Sequence, residues 1–346
     1  MAIEFKKEVL TARFLDPHAD FKEKVHSFEI RFDPLLGKPS YVYEVRRLTS
    51  YQEDLPALVA KSLNTGCPFC PGAIGEVTPK FIADLLPQGR LQLGEACIFP
   101  NAVPYAPYSA ITVLSRQHFV ALPDFTQKML TDALMAAQTY LKRVHQYDAG
   151  AKYIYLGWNY MPPSGASQVH PHLQVEAAYL PAPYQQELLQ ASQKYYTANG
   201  SNFWHDLVAE EESLEERYIG ETGDISWLAS YAPRGKLLDV LAIFKHRESF
   251  LDISGVELGD FSLGLVKVLR YINDQGYYSF NMSINSGLSG EGYFWTHARI
   301  IPRMAFFGLA VSDCSYYDVL QDLHFSSRYP EENCRELKKY FGERGK

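Results

Sequence analysis

Residues 164–176 read SGASQVHPHLQVE. His170 and His172 stand two apart across Pro171, with small and hydroxyl-bearing residues before them and Gln174 after. Alternate residues of a strand face the same way, so an extended VHPHLQV puts His170, His172 and Gln174 in one row. Pro171 suits an edge position and biases the residue before it toward extended backbone. A neutral imidazole is available near pH 7, because its unperturbed pKa is roughly 6.5. It can attack phosphorus and form a phosphoramidate, splitting one displacement into two easier ones. Ser164-Gly165-Ala166-Ser167 can close as a tight loop that offers N–H groups and hydroxyls to a phosphate, and Gln174 can donate its amide. The same HxH pattern also suits a metal pair or a buried polar strand, and the segment alone leaves these alternatives open.

A second constellation is Cys67-Pro-Phe-Cys70, in GCPFCPG. Two thiolates separated by two residues can grip one tetrahedral ion, because the turn between them brings both sulfurs to one side. The pair also suits redox chemistry. A metal needs two further ligands, and His118, at the end of LSRQH, and His170 are the best candidates. They complete a Cys2His2 set of the kind that holds structural zinc. One histidine of the HxH pair would then hold an ion while its neighbour faces a substrate.

The elements that position these residues recur. SAITVLSRQHFVALPDFTQKMLTDALMAAQTYLKRV, AKYIYLGWNY and the His-Pro-His segment are echoed by LLDVLAIFKHRESFLDISGVELGDFSLGLVKVLRYI, GYYSFNMSIN and GYFWTHARIIP. Each copy reads strand, basic residue and His, helix, strand, loop, strand with His, and His118 to His170 spans almost the same length as His246 to His297. Asp124 with Gln127 and Ser254 with Glu257 fit capping boxes. Leu130, Leu134, Leu141 and Val144 form one helical stripe, and Phe261, Leu265, Val268 and Ile272 another. YIYLGW and YYSFNMSI are rich in strand formers. The expected fold is α+β: two half-domains of similar design, residues 1–185 and 186–346, with mainly antiparallel sheets flanked by helices. Residues 183–230 join the halves as a polar, helical, surface-facing stretch whose EEESLEERY run forms a solvated face.

The totals agree. Of 346 residues, 47% are apolar and 14% aromatic, enough for a large, sheet-rich core in two domains or a duplicated one. A net charge of −7 without a long Lys or Arg run excludes a nucleic-acid-coating protein. The start, MAIEFKKEVL, has no apolar signal core, and no run of about 18 apolar residues occurs, so no membrane span is expected. Five scattered cysteines then predict a reduced, cytoplasmic protein.

The segment NYMPPSGASQVHPHLQ, together with CPFC, LSRQHFVALPDF, WLASYAPRGKLLDVLAIFKH and THARIIP, resembles the galactose-1-phosphate uridylyltransferase family, the transferase branch of the histidine-triad superfamily. The resemblance runs from RFDPLLGKPSYVYEVRRL onward and implies two histidine-triad-like halves. By it, His172 is the nucleophile that takes a nucleoside monophosphate. Gln174 stands in for the third histidine of hydrolase relatives and holds the phosphate, with Ser167 and Gly165 beside it. Asn159 touches the nucleotide or its phosphates. Arg46 or Arg47 falls at nucleotide-binding arginines, and Phe69 and Asn101 near the base and ribose. Cys67, Cys70, His118 and His170 carry over as a structural zinc site. The implied reaction is ping-pong transfer of a nucleotidyl group between a nucleotide sugar of the UDP-glucose type and a hexose 1-phosphate, by an enzyme that pairs in some relatives as a homodimer.

The departures bear on substrate. Some relatives carry iron in the second half, on a His-Ala-His pair, an upstream histidine and a carboxylate. Here the pair reads His297-Ala298-Arg299, the upstream position is Asn285, and Glu187 stands at the carboxylate position, so no iron is expected. GLAVSDCSYYDVLQD lacks the Tyr-Glu and downstream Gln that contact the hexose in uridylyltransferases. THARIIP is closer to a sister branch that phosphorolyses ADP-sugars, and SGASQVHPHLQ also resembles diadenosine-tetraphosphate phosphorylases. A nucleotide phosphorylase with inorganic phosphate as acceptor is therefore the alternative reading, and a nucleotide-binding module without catalysis the third.

Overall fold

Alternation decides which side of a strand meets the core. Val240, Ala242 and Phe244 pack into one apolar cluster while Leu241 and Ile243, between them, pack into another, as a strand buried on both faces requires. The computed structural model describes residues 3–44 and 50–342. Its centre is one ten-stranded sheet in the spatial order Leu91–Leu93, Ala96–Pro100, Tyr108–Val113, His172–Ala178, Tyr153–Tyr160, Phe280–Asn285, His297–Pro302, Val240–Phe244, Ile225–Ala229, Tyr218–Thr222. Every neighbouring pair in it is antiparallel. The two repeat units meet where Tyr153–Tyr160 pairs with Phe280–Asn285, Asn159 opposite Asn281. The fold is α+β with mainly antiparallel sheets and flanking helices, as the sequence implies.

The helices Gln127–Tyr147 and Gly255–Asp274 cover one face. All eight residues of the two expected stripes are buried, and Gln138 ties the first helix to the second unit by donating to the carbonyls of Phe250 and Ile253 at 2.7 Å each. Phe125, Trp158, Tyr160 and Phe280 stack across the central seam at 4.9–6.0 Å. The Ser254–Glu257 capping box forms. The Asp124–Gln127 box does not: Pro123 lies in a 3-10 turn, Leu122–Asp124, and Thr126 caps the helix by accepting from the Met129 N–H.

The other face is closed over the second unit by helices and over the edge of the first by the segment that carries Phe69 and Ile74. Helices Pro183–Asn199 and Phe203–Leu214 lay Leu188, Trp204 and Val208 against Leu228, Leu241 and Ile243. The joining stretch is thus not helical throughout; it ends in the strands Tyr218–Thr222 and Ile225–Ala229. Nor is its acidic run wholly solvated. Glu211 and Arg217 are buried and ion-paired at 2.9 Å, with the Arg217 guanidinium over the rings of Phe5 and Tyr231, because Glu211 lies on the same inward face of the helix as Trp204, Leu207 and Val208. A smaller sheet, Lys7–Asp16, Lys22–Phe32, Pro39–Val42 and His324–Ser326, joins the chain's two ends. Among the described residues no helix is long and apolar enough to cross a membrane.

Candidate functional site

Leu173, Val175 and Ala177 belong to the core under the helices, so alternation turns His172, Gln174 and Glu176 to the opposite face. The strand begins at His172 rather than earlier. Pro171 has no N–H for a ladder, and its carbonyl accepts instead from the Leu114 N–H at 3.1 Å. His170 is thereby freed to turn toward the CxxC segment. That segment lies on the same face, Phe69 and Ile74 packing on Cys97, Phe99, Ile111 and Val113.

Cys67, Cys70, His118 and His170 converge so that their four ligand atoms all lie within 4.8 Å of one another. Cys67 Sγ is 3.6 Å from His170 Nδ1, and Cys70 Sγ is 3.4 Å from His118 Nδ1 and 3.8 Å from His170 Nδ1. A tetrahedron built on bonds of roughly 2.0–2.3 Å has edges of about 3.3–3.8 Å. The outer ring nitrogens are engaged elsewhere: His170 Nε2 donates to the Ser115 carbonyl at 2.8 Å, and His118 Nε2 meets Ser62 Oγ at 2.6 Å. That leaves each Nδ1 lone pair aimed at the sulfurs. Burial, only partly offset by the bond to the Ser115 carbonyl, pushes the His170 imidazole down to about 4, and burial lowers His118 as well, so both rings are neutral, as ligands must be. Burial and the neighbouring Cys67 push the Cys70 thiol up to about 11; a cation at the centre is what would let both sulfurs ionise. These residues fit a metal ion.

Beside this cluster Tyr105, Asn159, Gly165, Ala166, Ser167, His172 and Gln174 line an open cleft of about 430 Å³. His172 is buried, and its Nδ1 lies 2.8 Å from the carbonyl of His170. A carbonyl only accepts, so Nδ1 carries the proton and Nε2 keeps the free lone pair. Burial holds the ring's pKa below the ordinary histidine value. Phe69 packs on it at 5.2 Å between ring centres. The loop before it turns at Gly165, whose φ of 90° favours glycine, and starts at Met161, a buried residue held at φ 68°. Such a residue costs on the order of 1–3 kcal/mol and persists only where its surroundings fix it. Among the described residues, the side chains of Ser167 and Gln174 make no hydrogen bond within the protein and remain available to a ligand.

The structure therefore brings His172, Gln174, Ser167, Asn159 and Gly165 to one cleft, places Phe69 against His172, and gathers the four metal candidates next to it. Asn101 does not line the cleft; it opens the loop that carries Tyr105, and its side chain accepts from the Val103 N–H. Arg46 and Arg47 lie outside the described residues. Tyr105 escaped the sequence reading, although the PYAPY run marks its loop. In the second unit His297 is buried, stacked on Trp204 at 3.9 Å, and held by Asn285 and the Trp295 carbonyl. Arg299 pairs with Asp239 at 2.6 Å, and Glu187 binds Lys38 at 2.6 Å.

No family model matches the chain. A protein of Archaeoglobus fulgidus described as uncharacterized is 31% identical over 345 residues, 99% of this chain and 100% of that protein. Three solved structures share the fold. A galt-like protein of Arabidopsis thaliana superposes with a TM-score of 0.70 at 18% identity, covering 90% of this chain and 98% of its own. An ADP-glucose phosphorylase of Arabidopsis thaliana with bound ADP-glucose gives 0.71 at 18%, covering 91% and 99%. A uridylyltransferase gives 0.66 at 20%, covering 90% and 97%.

Proposed function

Since the chain belongs to one family with the Archaeoglobus fulgidus protein and has the fold of the uridylyltransferase-like structures, we propose that it is a nucleotidyltransferase working through a covalent nucleotidyl-His172 intermediate. The observation that carries this reading is the bond from His172 Nδ1 to the His170 carbonyl, which leaves Nε2 nucleophilic on a cleft lined by donors.

Nε2 attacks the α-phosphorus of a nucleotide sugar; the N–P bond forms as the bond to the sugar 1-phosphate breaks. Both electrons of the broken bond leave on a phosphate oxygen, so the leaving group needs no proton. A neutral amide at Gln174 then suffices where an acid would otherwise be required. It and Ser167 donate to the charge that spreads over the phosphorus oxygens. The Nδ1 proton stays on the ring, and the His170 carbonyl stabilises the cationic adduct. An incoming oxyanion reverses the step. Zinc suits the two-thiolate, two-imidazole set at Cys67, Cys70, His118 and His170. It would hold the His170 backbone, and with it the His172 ring, in place, and take no part in the transfer.

The donor in this reading is a nucleotide sugar of the UDP-glucose or ADP-glucose type, and the acceptor a hexose 1-phosphate. Inorganic phosphate as acceptor is the second reading. It is favoured by THARIIP, residues 296–302, which is closer to the pattern of the branch that phosphorolyses ADP-sugars, and by the absence from residues 308–322 of the Tyr-Glu pair that contacts a hexose in uridylyltransferases. Incubation with UDP-glucose or ADP-glucose, each labelled in the nucleotide, should leave label on His172. A chase with glucose 1-phosphate, galactose 1-phosphate or inorganic phosphate then names the acceptor. Absence of label from both nucleotides would overturn the proposal.

A further inference from the structure

We infer that Asn281 and Arg303, both from the second unit, are positioning residues that fix the orientation of the Asn159 amide, so that Asn159 offers an N–H and not an oxygen to a phosphate of the bound nucleotide. The inference rests on the proposed function for the identity of that ligand.

The hydrogen bonds allow one arrangement. Arg303 NH1 donates to Asn281 Oδ1 at 2.6 Å. A guanidinium has no acceptor, so the atom it meets must be the amide oxygen. The Asn281 Nδ2 therefore points the other way, where it donates to Asn159 Oδ1 at 2.6 Å and to the Ser164 carbonyl at 3.0 Å. The Ser164 carbonyl can only accept, which fixes the same orientation independently. With its oxygen engaged, Asn159 has only its Nδ2 protons left for the cleft that it lines.

The far end of the brace is rigid. Arg303 Nε and NH2 grip Asp313 at 2.8 and 2.7 Å, and buried Asp313 also accepts from the Met304 N–H. At the near end the register that sets Asn281 opposite Asn159 puts the donor within reach. Through Ser164 the same amide holds the loop whose next residues, Gly165 to Ser167, line the cleft. The second unit would thus serve the first by aligning donors toward an anion. An unbraced Asn159 can turn its oxygen toward a phosphate oxygen, which repels it.

The test uses the full chain and two readouts: the single-turnover rate of His172 labelling by nucleotide-labelled ADP-glucose or UDP-glucose, and calorimetric binding of AMP and UMP. Asn281→Ala should slow labelling and weaken binding by about 10–100-fold, as loss of an outer-shell orienting partner does. Asn281→Asp should be worse than alanine, because a carboxylate beside Asn159 recruits its Nδ2 and turns its oxygen to the cleft. Arg303→Lys, which keeps a donor, should retain more than Arg303→Ala. On an Asn159→Ala background Asn281→Ala should cost much less than it does in wild type, leaving only the share carried by its bond to the Ser164 carbonyl, whereas a merely structural role would give the same fold-loss in both backgrounds. Wild-type values for Asn281→Ala, or losses that multiply in the double variant, would overturn the inference and leave the proposed function standing. A wild type that labels with neither sugar nucleotide but binds AMP or UMP would overturn the covalent mechanism alone, with the brace then judged by binding. A wild type that neither labels nor binds would overturn both.

Discussion

His172 and His170 are joined by one hydrogen bond, from the Nδ1 of the first to the backbone carbonyl of the second at 2.8 Å. The side chain of His170 reaches the sulfurs of Cys67 and Cys70, and its other nitrogen holds the Ser115 carbonyl. The residue that completes the Cys2His2 cluster therefore also selects the tautomer of its neighbour. The His172 ring and the cluster form one structural unit, and each can be tested through the other.

His172→Gly removes the ring without touching the core under the helices. Labelling and turnover are expected to fall by roughly 10,000-fold or more, as for loss of a covalent nucleophile elsewhere, while the melting temperature changes little. Mass spectrometry of the intact protein after incubation with sugar nucleotide checks both halves: wild type gains one nucleotidyl mass and the variant gains none. An adduct that persists in the variant would move the nucleophile to another residue.

Purified protein should hold close to one equivalent of zinc by elemental analysis, and Cys67→Ser or His118→Ala should lose most of it. Structural metal sites contribute folding free energy directly. The loss should destabilise by on the order of 2–5 kcal/mol, or about 3–7 °C in melting temperature for a chain of this length. Labelling of His172 should fall along with metal content, because the His170 backbone is no longer held. Full zinc content in both variants would exclude the cluster as the site.

The row of His172 and Gln174 was legible because a strand's period of two is local, and so was the CxxC turn. The helical stripes were legible for the same reason, as was the α+β class that follows from them. What the residues did not disclose depends on partners far along the chain. Nothing near Asn281 marks it as a partner of Asn159; the two meet through the register of one antiparallel pair. The burial of Glu211 likewise depends on Arg217 and on Phe5 from the other end of the chain. Even the Thr126 cap turned on a local 3-10 turn at Pro123 that a capping-box pattern does not encode.

Gln174→Ala deletes a donor while leaving the nucleophile and the metal cluster intact. Removal of one such preorganised donor typically lowers the rate by about 100–1,000-fold. The single-turnover labelling rate should fall in that range, with nucleoside monophosphate affinity reduced much less, since the charge it meets develops in the transition state. Equal losses in rate and affinity would make Gln174 a ground-state binding residue only.

Glu176 ends the same row and gives a pH test of the buried face. Its carboxyl is buried, accepts one hydrogen bond from Ser109 at 3.0 Å, and leaves Oε2 without a partner. Burial raises its pKa from 4.5 to about 7, and the Ser109 bond offsets only part of that. The folded-state value exceeds the unfolded one, so the folded state favours the proton. The associated stability is fully present below pH 4.5 and is lost as pH rises through 7. Glu176→Gln keeps the acceptor for Ser109 and cannot ionise. Relative to wild type, the variant should gain on the order of 2–3 kcal/mol between about pH 4.5 and 8, whatever constant offset its amide adds at all pH values. Urea unfolding of both proteins across that range measures the difference directly. Parallel stability curves would mean that Glu176 ionises in the folded protein as readily as in the unfolded chain, with water reaching its carboxylate.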